Sequence, residues 1–418
     1  MIETPSIVSH NQFYRDGPPV DLTSCDREPI QHPGGIQPSG FLIALTADWS
    51  ISRMSANAPQ WTGRPVEALL GTPLSGLLQP DAIHAVRNRM TALRGEHAIE
   101  RGFGIALFGA GPLFDIAVHR SDDLVILECE PSGHNSDANA ASLVRAMIGR
   151  LQQTVGFADL CREATRQLKA LTGFDRVMAY KFHADGSGEV VAEAARSGMD
   201  TFLGLRYPAS DIPVQARAMY TKNWLRVIAD VDADPVPILA LAPAPALTIV
   251  ADGAAAVPLD LSMSMLRTVS PIHLEYLRNM GVVASMSVSI IIQGRLWGLF
   301  ACHHMSPRHV SFERRTAAEL FGQIFSLVLD SRERDLEVAY EARARQLHDQ
   351  VMTLAASELS PSNNISQLIT MMTDLIPCDG IGVWVDQQAT LLQSTPTQEE
   401  FQGPVSYTHL TLPTNREV

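Results

Sequence analysis

The sequence predicts an α+β protein built as successive domains, and three observations lead there. Short apolar runs with strand character cluster at residues 41–45, 103–108, 113–120 and 124–130, with helical stretches between them. The same mixture returns after a turn-rich linker, PSGHNSDANA (131–140). An unbroken helical pattern then runs from Ser311 to about Ala356. A chain of 418 residues holds roughly two to four domains of ordinary size.

Residues 1–24 are polar and proline-rich, and are expected to lack regular structure. FLIAL (41–45), FGIALF (103–108), LFDIAVHR (113–120) and LVILECE (124–130) read as a small antiparallel sheet, with the helix PDAIHAVRNRMTALRG (80–95) to one side. After the linker, FADLCREATRQLKALTG (157–173) places Phe157, Leu160, Cys161, Ala164, Leu168 and Leu171 on one helical face, and Gly173 where a C-terminal cap belongs. RVMAYKF (176–182), EVVAEA (189–194), VVASMSVSIII (282–292) and LWGLFACHH (296–304) are the strands of one domain interrupted by an excursion. Within it, residues 230–260 read as a long apolar, proline-rich loop, a length that usually signals a function. LSPSNN (359–364) breaks the long helix. NISQLITMMTDLIP and CDGIGVWV then read as the helix and first strand of a third domain. PVSYTHLTLPTNREV (404–418) does not continue that pattern.

Apolar residues make up 46% and charged residues 18%, which fits a well-cored protein rather than a disordered one. A net charge of −13 argues against nucleic acid or an anionic membrane as partner. Any bound anion must therefore meet a local cluster of arginines. The five cysteines are scattered without a CxxC pair, which excludes a disulfide framework or structural zinc and fits a reducing compartment. The start, MIETPSIVSHNQFYRDGPP, has no apolar segment of the signal-peptide kind, and 282–292 is too short to span a bilayer. The expectation is a cytoplasmic protein.

Several residues invite chemistry. Cys25 lies in a turn-rich arm, where an accessible thiol can act as a nucleophile; an incidental cysteine is the plainer alternative. In YPASDIP (207–213), Asp211 reads first as a helix cap ahead of Pro213, although a cap can also aim an acceptor into a cavity. In SPIHLEYLRNMG (270–281), Ser270 caps, Pro271 opens and Gly281 closes a helix with His273, Tyr276 and Leu277 on one face. That face either sits at a core edge or lines a polar pocket. Arg226 and Arg267 flank the excursion, and arginine's planar fork suits carboxylates. Ser285 and Ser287 share one face of a strand. His303 and His304 point to opposite faces, so they cannot share a metal ion.

Together these stretches resemble the bacterial phytochromes over roughly residues 15 to 400. The resemblance rests on a cysteine ahead of HPGGIQPSG and on MAYKF, YPASDIP, SPIHLEYLRNMGV, SVSI and LWGLFACHH, in that order. It implies a PAS domain (25–135) after an N-terminal extension (1–24), then a GAF chromophore-binding domain (141–325). A connecting helix and an incomplete PHY domain (326–403) follow, with an unrelated tail at 404–418. The excursion would be the family's lasso, threaded near Ile36 to make a knot. The resemblance further implies biliverdin as cofactor, joined through Cys25. Leu274 stands where another branch of the family carries its cysteine.

Asp211, with Ile212 and Pro213 beside it, would accept from the pyrrole nitrogens through its backbone carbonyl. His273 would share a water with the inner rings. Arg226 and Arg267 would meet the propionates, helped by Ser270, Ser285 and Ser287. Tyr180, Phe202, Tyr207 and His303 would surround the D ring, with Tyr276 close by. The implied function is red/far-red light sensing without enzymatic activity in this chain. Homodimerisation through the long helix is implied too, as is signalling to an output module, usually a histidine kinase, and a response regulator beyond it. No PRxSF motif, which the PHY tongue carries, is present. On the residues alone, a sensor of a small anion such as a cyclic nucleotide, or a cysteine enzyme pairing Cys25 with His32, stays open.

Overall fold

The computed structural model describes residues 7–9, 28–95, 97–109, 111–133, 140–241, 258–355, 361–373, 376, 378–385 and 388–401. Cys25, the middle of the excursion (242–257) and the tail (404–418) lie outside the described residues. The chain divides into two compact units, Met1–Leu329 and Asp330–Val418.

The first unit opens with β1 (Ile7–Ser9), β2 (Gly35–Ile36), β3 (Phe41–Leu45) and β4 (Ile51–Ser55). Helices α1 (Pro59–Thr62) and α2 (Pro80–Ala92) follow, then β5 (Ile99–Ile105), β6 (Phe114–Ser121) and β7 (Leu124–Pro131). Next come α3 (Ala140–Gln152), α4 (Gly156–Thr172), β8 (Arg176–Phe182), β9 (Gly188–Ala195), β10 (Arg206–Tyr207), α5 (Val214–Lys222), β11 (Leu225–Ile228) and β12 (Val236–Leu241). It continues with α6 (Pro271–Asn279), β13 (Ala284–Ile292), β14 (Arg295–His304) and the first part of α7 (Phe312–Ala355). The second unit adds α8 (Pro361–Thr373) and a hairpin of β15 (Gly380–Val385) and β16 (Gln388–Gln393). Helix α8 thus begins inside the stretch 359–364 read as a break.

Both sheets of the first unit are antiparallel. One runs β1-β12-β4-β3-β7-β6-β5, with β2 also paired to β12; the other runs β10-β9-β8-β14-β13-β11. Strand β3 is buried on both faces. Phe41, Ile43 and Leu45 enter a core with Phe114, beside Trp61 and Phe108. Leu42 and Ala44 meet Ile36, Ile238, Leu259, Leu261 and Leu266 on the other side. Each such large side chain contributes about 1.5–3 kcal/mol by burial.

That second layer corrects the reading of 230–260 as a loop. Val236–Leu241 is a strand, and it pairs not with its own domain's sheet but with β4 of the first (Ile238↔Ser55, Leu239↔Met54). The apolar, proline-containing composition suggested an unstructured segment because the partner strand lies nearly 200 residues away. Ile36 is bridged by Val236 on one side and Arg267 on the other, so both arms of the excursion bracket it. The expected knot involves residues 242–257, which lie outside the described residues. The first-domain strand read at 103–108 also sits earlier, at Ile99–Ile105. A register shift between Gly102 and Ile105 releases the chain there, and Gly104 takes φ 61.

In the second sheet one face is packed. Leu160, Cys161 and Leu168 of α4 meet Phe300 of β14 and Phe321 and Phe325 of α7. The Phe300 and Phe325 rings lie 4.8 Å apart, edge to face. Gly322 is needed here, since an added Cβ would strike the Val288 side chain. Gly173 ends α4 at φ 67, donating its N–H to the Lys169 carbonyl as a left-handed cap should. Two ion pairs join α7 to the first sheet, Arg315–Glu130 at 2.6 Å and Arg101–Glu319.

Candidate functional site

The opposite face of the second sheet is not filled by a helix. Its inward side chains and the segments above them enclose a cavity of about 490 Å³, within the ~300–1,000 Å³ range of small-molecule sites. Strand alternation makes the floor. Ser285 and Ser287 of β13 and Leu299, Ala301 and His303 of β14 line it, paired as Ser285↔His303 and Ser287↔Ala301. Tyr180 of β8, opposite Leu299, extends it. Gly188 makes room for that ring: any Cβ there would overlap the Tyr180 phenol. His304 points away as expected and sits 3.0 Å from the Asp175 carboxylate. Among the described residues no cluster of His, Cys, Asp or Glu could hold a metal ion.

The roof comes from α6 and the loops. His273, Tyr276 and Leu277 share one face, as their spacing predicted, and of the two places left open for it that face takes the cavity; the His273 and Tyr276 rings are nearly parallel. Phe202, Tyr207, Ile212 and Pro213 close one end. Arg267 and Ser270 stand at the cavity too. The Arg267 guanidinium donates to the Ile30 carbonyl at 2.7 Å.

Three assignments need correction. Asp211 does not cap α5; Pro213 occupies that position and Asp211 ends a 3-10 turn, Ala209–Asp211. The freed carboxylate lines the cavity and accepts from the Tyr276 hydroxyl at 3.3 Å. Ser270 holds the N-cap position of α6 without a side-chain cap; its hydroxyl donates instead to Glu28 at 2.5 Å. Arg226 is not among the lining residues. It donates to the hydroxyls of Ser287 (3.0 Å) and Ser289 (2.7 Å) and to the Asn223 carbonyl (2.8 Å). Its guanidinium also stacks 3.9 Å over Tyr220. Hydroxyls and a ring within reach hold it beside the floor, on the same sheet face as its ladder partner Ser287, where it orients Ser287 and Tyr220.

Sequence reading missed Glu28, Tyr220, Leu299 and Ala301 as lining residues. The alternation that yielded His303 also yields Leu299 and Ala301. Nothing local marks Glu28, whose partner Ser270 is 242 positions on. Arg217 was missed as well. From below the YPASDIP turn it donates to the carbonyls of Ile212 (2.7 Å), Ala209 (2.8 Å) and Gly186 (2.7 Å).

The electrostatics are those of a dry pocket. Burial, reinforced by Arg267, brings His273 down to about 4. Burial, with Arg176 and His273, does the same to His303. Burial and then the Asp211 charge raise Tyr180 to about 12 and lift Tyr276 further. Burial also raises Tyr207 and lowers Arg226 to about 10. At neutral pH Tyr180, Tyr207, Tyr276, His273 and His303 are uncharged, and Glu28, Asp211 and Arg267 are the acidic and basic residues left in the lining. His303 Nδ1 and Arg226 Nη2 are buried without hydrogen-bond partners among the described residues, which is unusual in a folded interior. Such a site can hold a large, mostly apolar molecule carrying acidic groups and N–H donors.

A packed sheet domain followed by a second whose sheet encloses a ligand cavity defines a PAS–GAF sensory module. Residues 25–132 match the PAS fold and residues 157–329 the GAF domain. The chain belongs to the bacterial phytochromes. It is 40% identical to the chromophore-binding domain of the Stigmatella aurantiaca bacteriophytochrome, covering 73% of this chain and 99% of that one, with a TM-score of 0.64. Against the photosensory core module of a Stigmatella aurantiaca phytochrome it is 35% identical, covering 96% and 78%, with a TM-score of 0.74. It is 37% identical to a bacteriophytochrome of Pseudomonas aeruginosa, over 87% of this chain and 48% of that protein. To cyanobacterial phytochrome B of Nostoc it is 35% identical, over 93% and 51%. The chain thus spans about half the length of the curated relatives it matches. No described helix is long and apolar enough to cross a membrane.

Proposed function

We propose that this chain is the sensory part of a red/far-red photoreceptor whose cavity holds biliverdin, attached through Cys25. The observation that carries this reading is a cavity of about 490 Å³ whose floor mixes Leu299 and Ala301 with Ser285, Ser287 and His303, with neutral phenols and imidazoles around it and Arg267 at its wall. The orphaned His303 Nδ1 fits a ligand carbonyl, and Arg267 fits a carboxylate. When bound, biliverdin supplies visible absorption and a ring able to turn about a double bond.

Arg267, with Ser270, Ser285 and Ser287, binds the propionates, while Arg226 acts from beside the cavity through Ser287. Asp211 offers its backbone carbonyl to the pyrrole N–H groups and its carboxylate to the surrounding hydrogen-bond network. His273 holds a water against the inner rings and stays neutral because it is buried. Tyr180, Phe202, Tyr207 and His303 bound the space in which the terminal ring moves, and His303 presents it a hydrogen-bonding nitrogen. Residues 326–403 are the connecting helix and the start of a PHY domain. Helix α7 conveys the change to an output module, typically a histidine kinase acting on a response regulator. Its exposed Leu327, Leu336 and Val338 serve a homodimer in the cytoplasm.

The test is absorption. Mixed with biliverdin, the purified chain should give a sharpened far-red-shifted band that red light alters. In the wild type the band should survive denaturation, and in Cys25→Ser the pigment should bind without surviving it. A chain that develops no band rules out the photoreceptor reading. Covalent pigment in Cys25→Ser rules out the attachment residue.

A further inference from the structure

Phe202 reaches the cavity on a loop between β9 and β10, and two buried side chains that do not line the cavity hold that loop. The Glu193 carboxylate accepts from the Phe202 N–H at 3.0 Å and from the Thr201 hydroxyl at 2.6 Å. Arg176 lies 2.8 Å from the other oxygen of the same carboxylate and donates to the Asp200 backbone carbonyl. Its guanidinium carbon sits 3.8 Å over the Phe202 ring. Both members of the pair are nearly sealed from solvent, at 5% and 6% exposure. A buried ion pair is a poor source of stability compared with apolar packing, so what it offers is fixed geometry. Arginine suits the task because one planar group can bond in its plane and stack on its face at once. Arg176 also stands directly across the β8–β14 ladder from His303.

We propose that Arg176 and Glu193 are a positioning pair that sets the height of the Phe202 ring over the cavity, and with it the freedom of the pigment's moving ring. This rests on the biliverdin reading above. The pair touches no pigment; it acts through Phe202.

Arg176→Lys keeps the charge beside Glu193 but loses the fork and the stacking face, while Glu193→Gln keeps the shape and loses the charge. In the pigment-free chain, backbone hydrogen exchange at 200–204 should quicken about tenfold in either variant, with β13 unchanged. Loaded with biliverdin, Arg176→Lys should take wild-type amounts of pigment, yet its thermal return after red light should change about three- to tenfold. Phe202→Leu should change the thermal return in the same direction, and the double variant Arg176→Lys/Phe202→Leu should return at the rate of Phe202→Leu alone. A wild type that photoconverts beside an Arg176→Lys that returns at the wild-type rate overturns the positioning role and leaves the photoreceptor standing. Effects that multiply in the double variant overturn it too, because Arg176 would then act without Phe202. A wild type that takes no pigment overturns both.

Discussion

The two faces of β14 can be compared directly, since one ten-residue strand builds both. Phe300 and Cys302 point into a core closed by α4 and α7, while Leu299, Ala301 and His303 point into the cavity. The packed face uses volume, with interlocking aromatics and Gly322 letting a helix come close. The cavity face sets Ala301 and His303 beside Leu299 and leaves His303 Nδ1 without a hydrogen-bond partner among the described residues. A folded domain can carry such unmet polarity because the other side of the same sheet is fully packed. Stability and binding are separated by one residue along the chain.

The largest way to break this contrast is Phe300→Ala. It should cost about 3–5 kcal/mol in urea unfolding, whereas Leu299→Ala, already beside empty space, should cost about 2 kcal/mol or less. Equal losses would mean that the cavity face is packed after all. The next effect is pH-dependent. Burial holds His303 at about 4 in the folded chain against 6.5 when exposed. Between those values the unfolded state binds a proton that the folded state does not. Stability of the pigment-free chain is therefore full above pH 6.5 and falls as the pH drops toward 4, by on the order of 3 kcal/mol from this residue, with His273 adding a fall of its own over the same range. His303→Gln should flatten that fall, and an unchanged slope would place the titration elsewhere. The smallest effect belongs to Tyr276→Phe. It removes a 3.3 Å hydrogen bond to a carboxylate at the partly exposed rim and should shift stability by about 1 kcal/mol or less. A larger loss would show that Asp211 depends on that hydroxyl for its place.

Local periodicity made much of this legible. RVMAYKF is β8 residue for residue, and the Gly173 cap and the face of His273, Tyr276 and Leu277 stand as their spacing required. What the sequence hid was partnership across distance. Val236–Leu241 read as loop because its ladder is with β4, and Arg226 read as a wall residue because its hydroxyl partners come more than sixty positions later. Asp211 looked like a cap because Ile-Pro follows it; the helix begins after Pro213, and the carboxylate turns to Tyr276. The roles of Arg176 and Arg217 had no local signature, since both act on backbone carbonyls that any residue type supplies.

Strand β12 bears on how such proteins can be spliced. The turn-rich stretch at 131–140 looks like the natural place to recombine one parent's first domain with another's second. Yet β4 is covered by a strand encoded about a hundred residues past that join, and the layer behind β3 includes Leu259, Leu261 and Leu266. A chimera crossing at the linker would ask one parent's β1 and β4 to accept the other's β12 between them, leaving ill-fitted strands whose exposed hydrogen-bonding groups invite aggregation. Exchange is better tolerated outside residues 7–267, where both partners of these strand pairs and of the layer behind β3 come from the same parent.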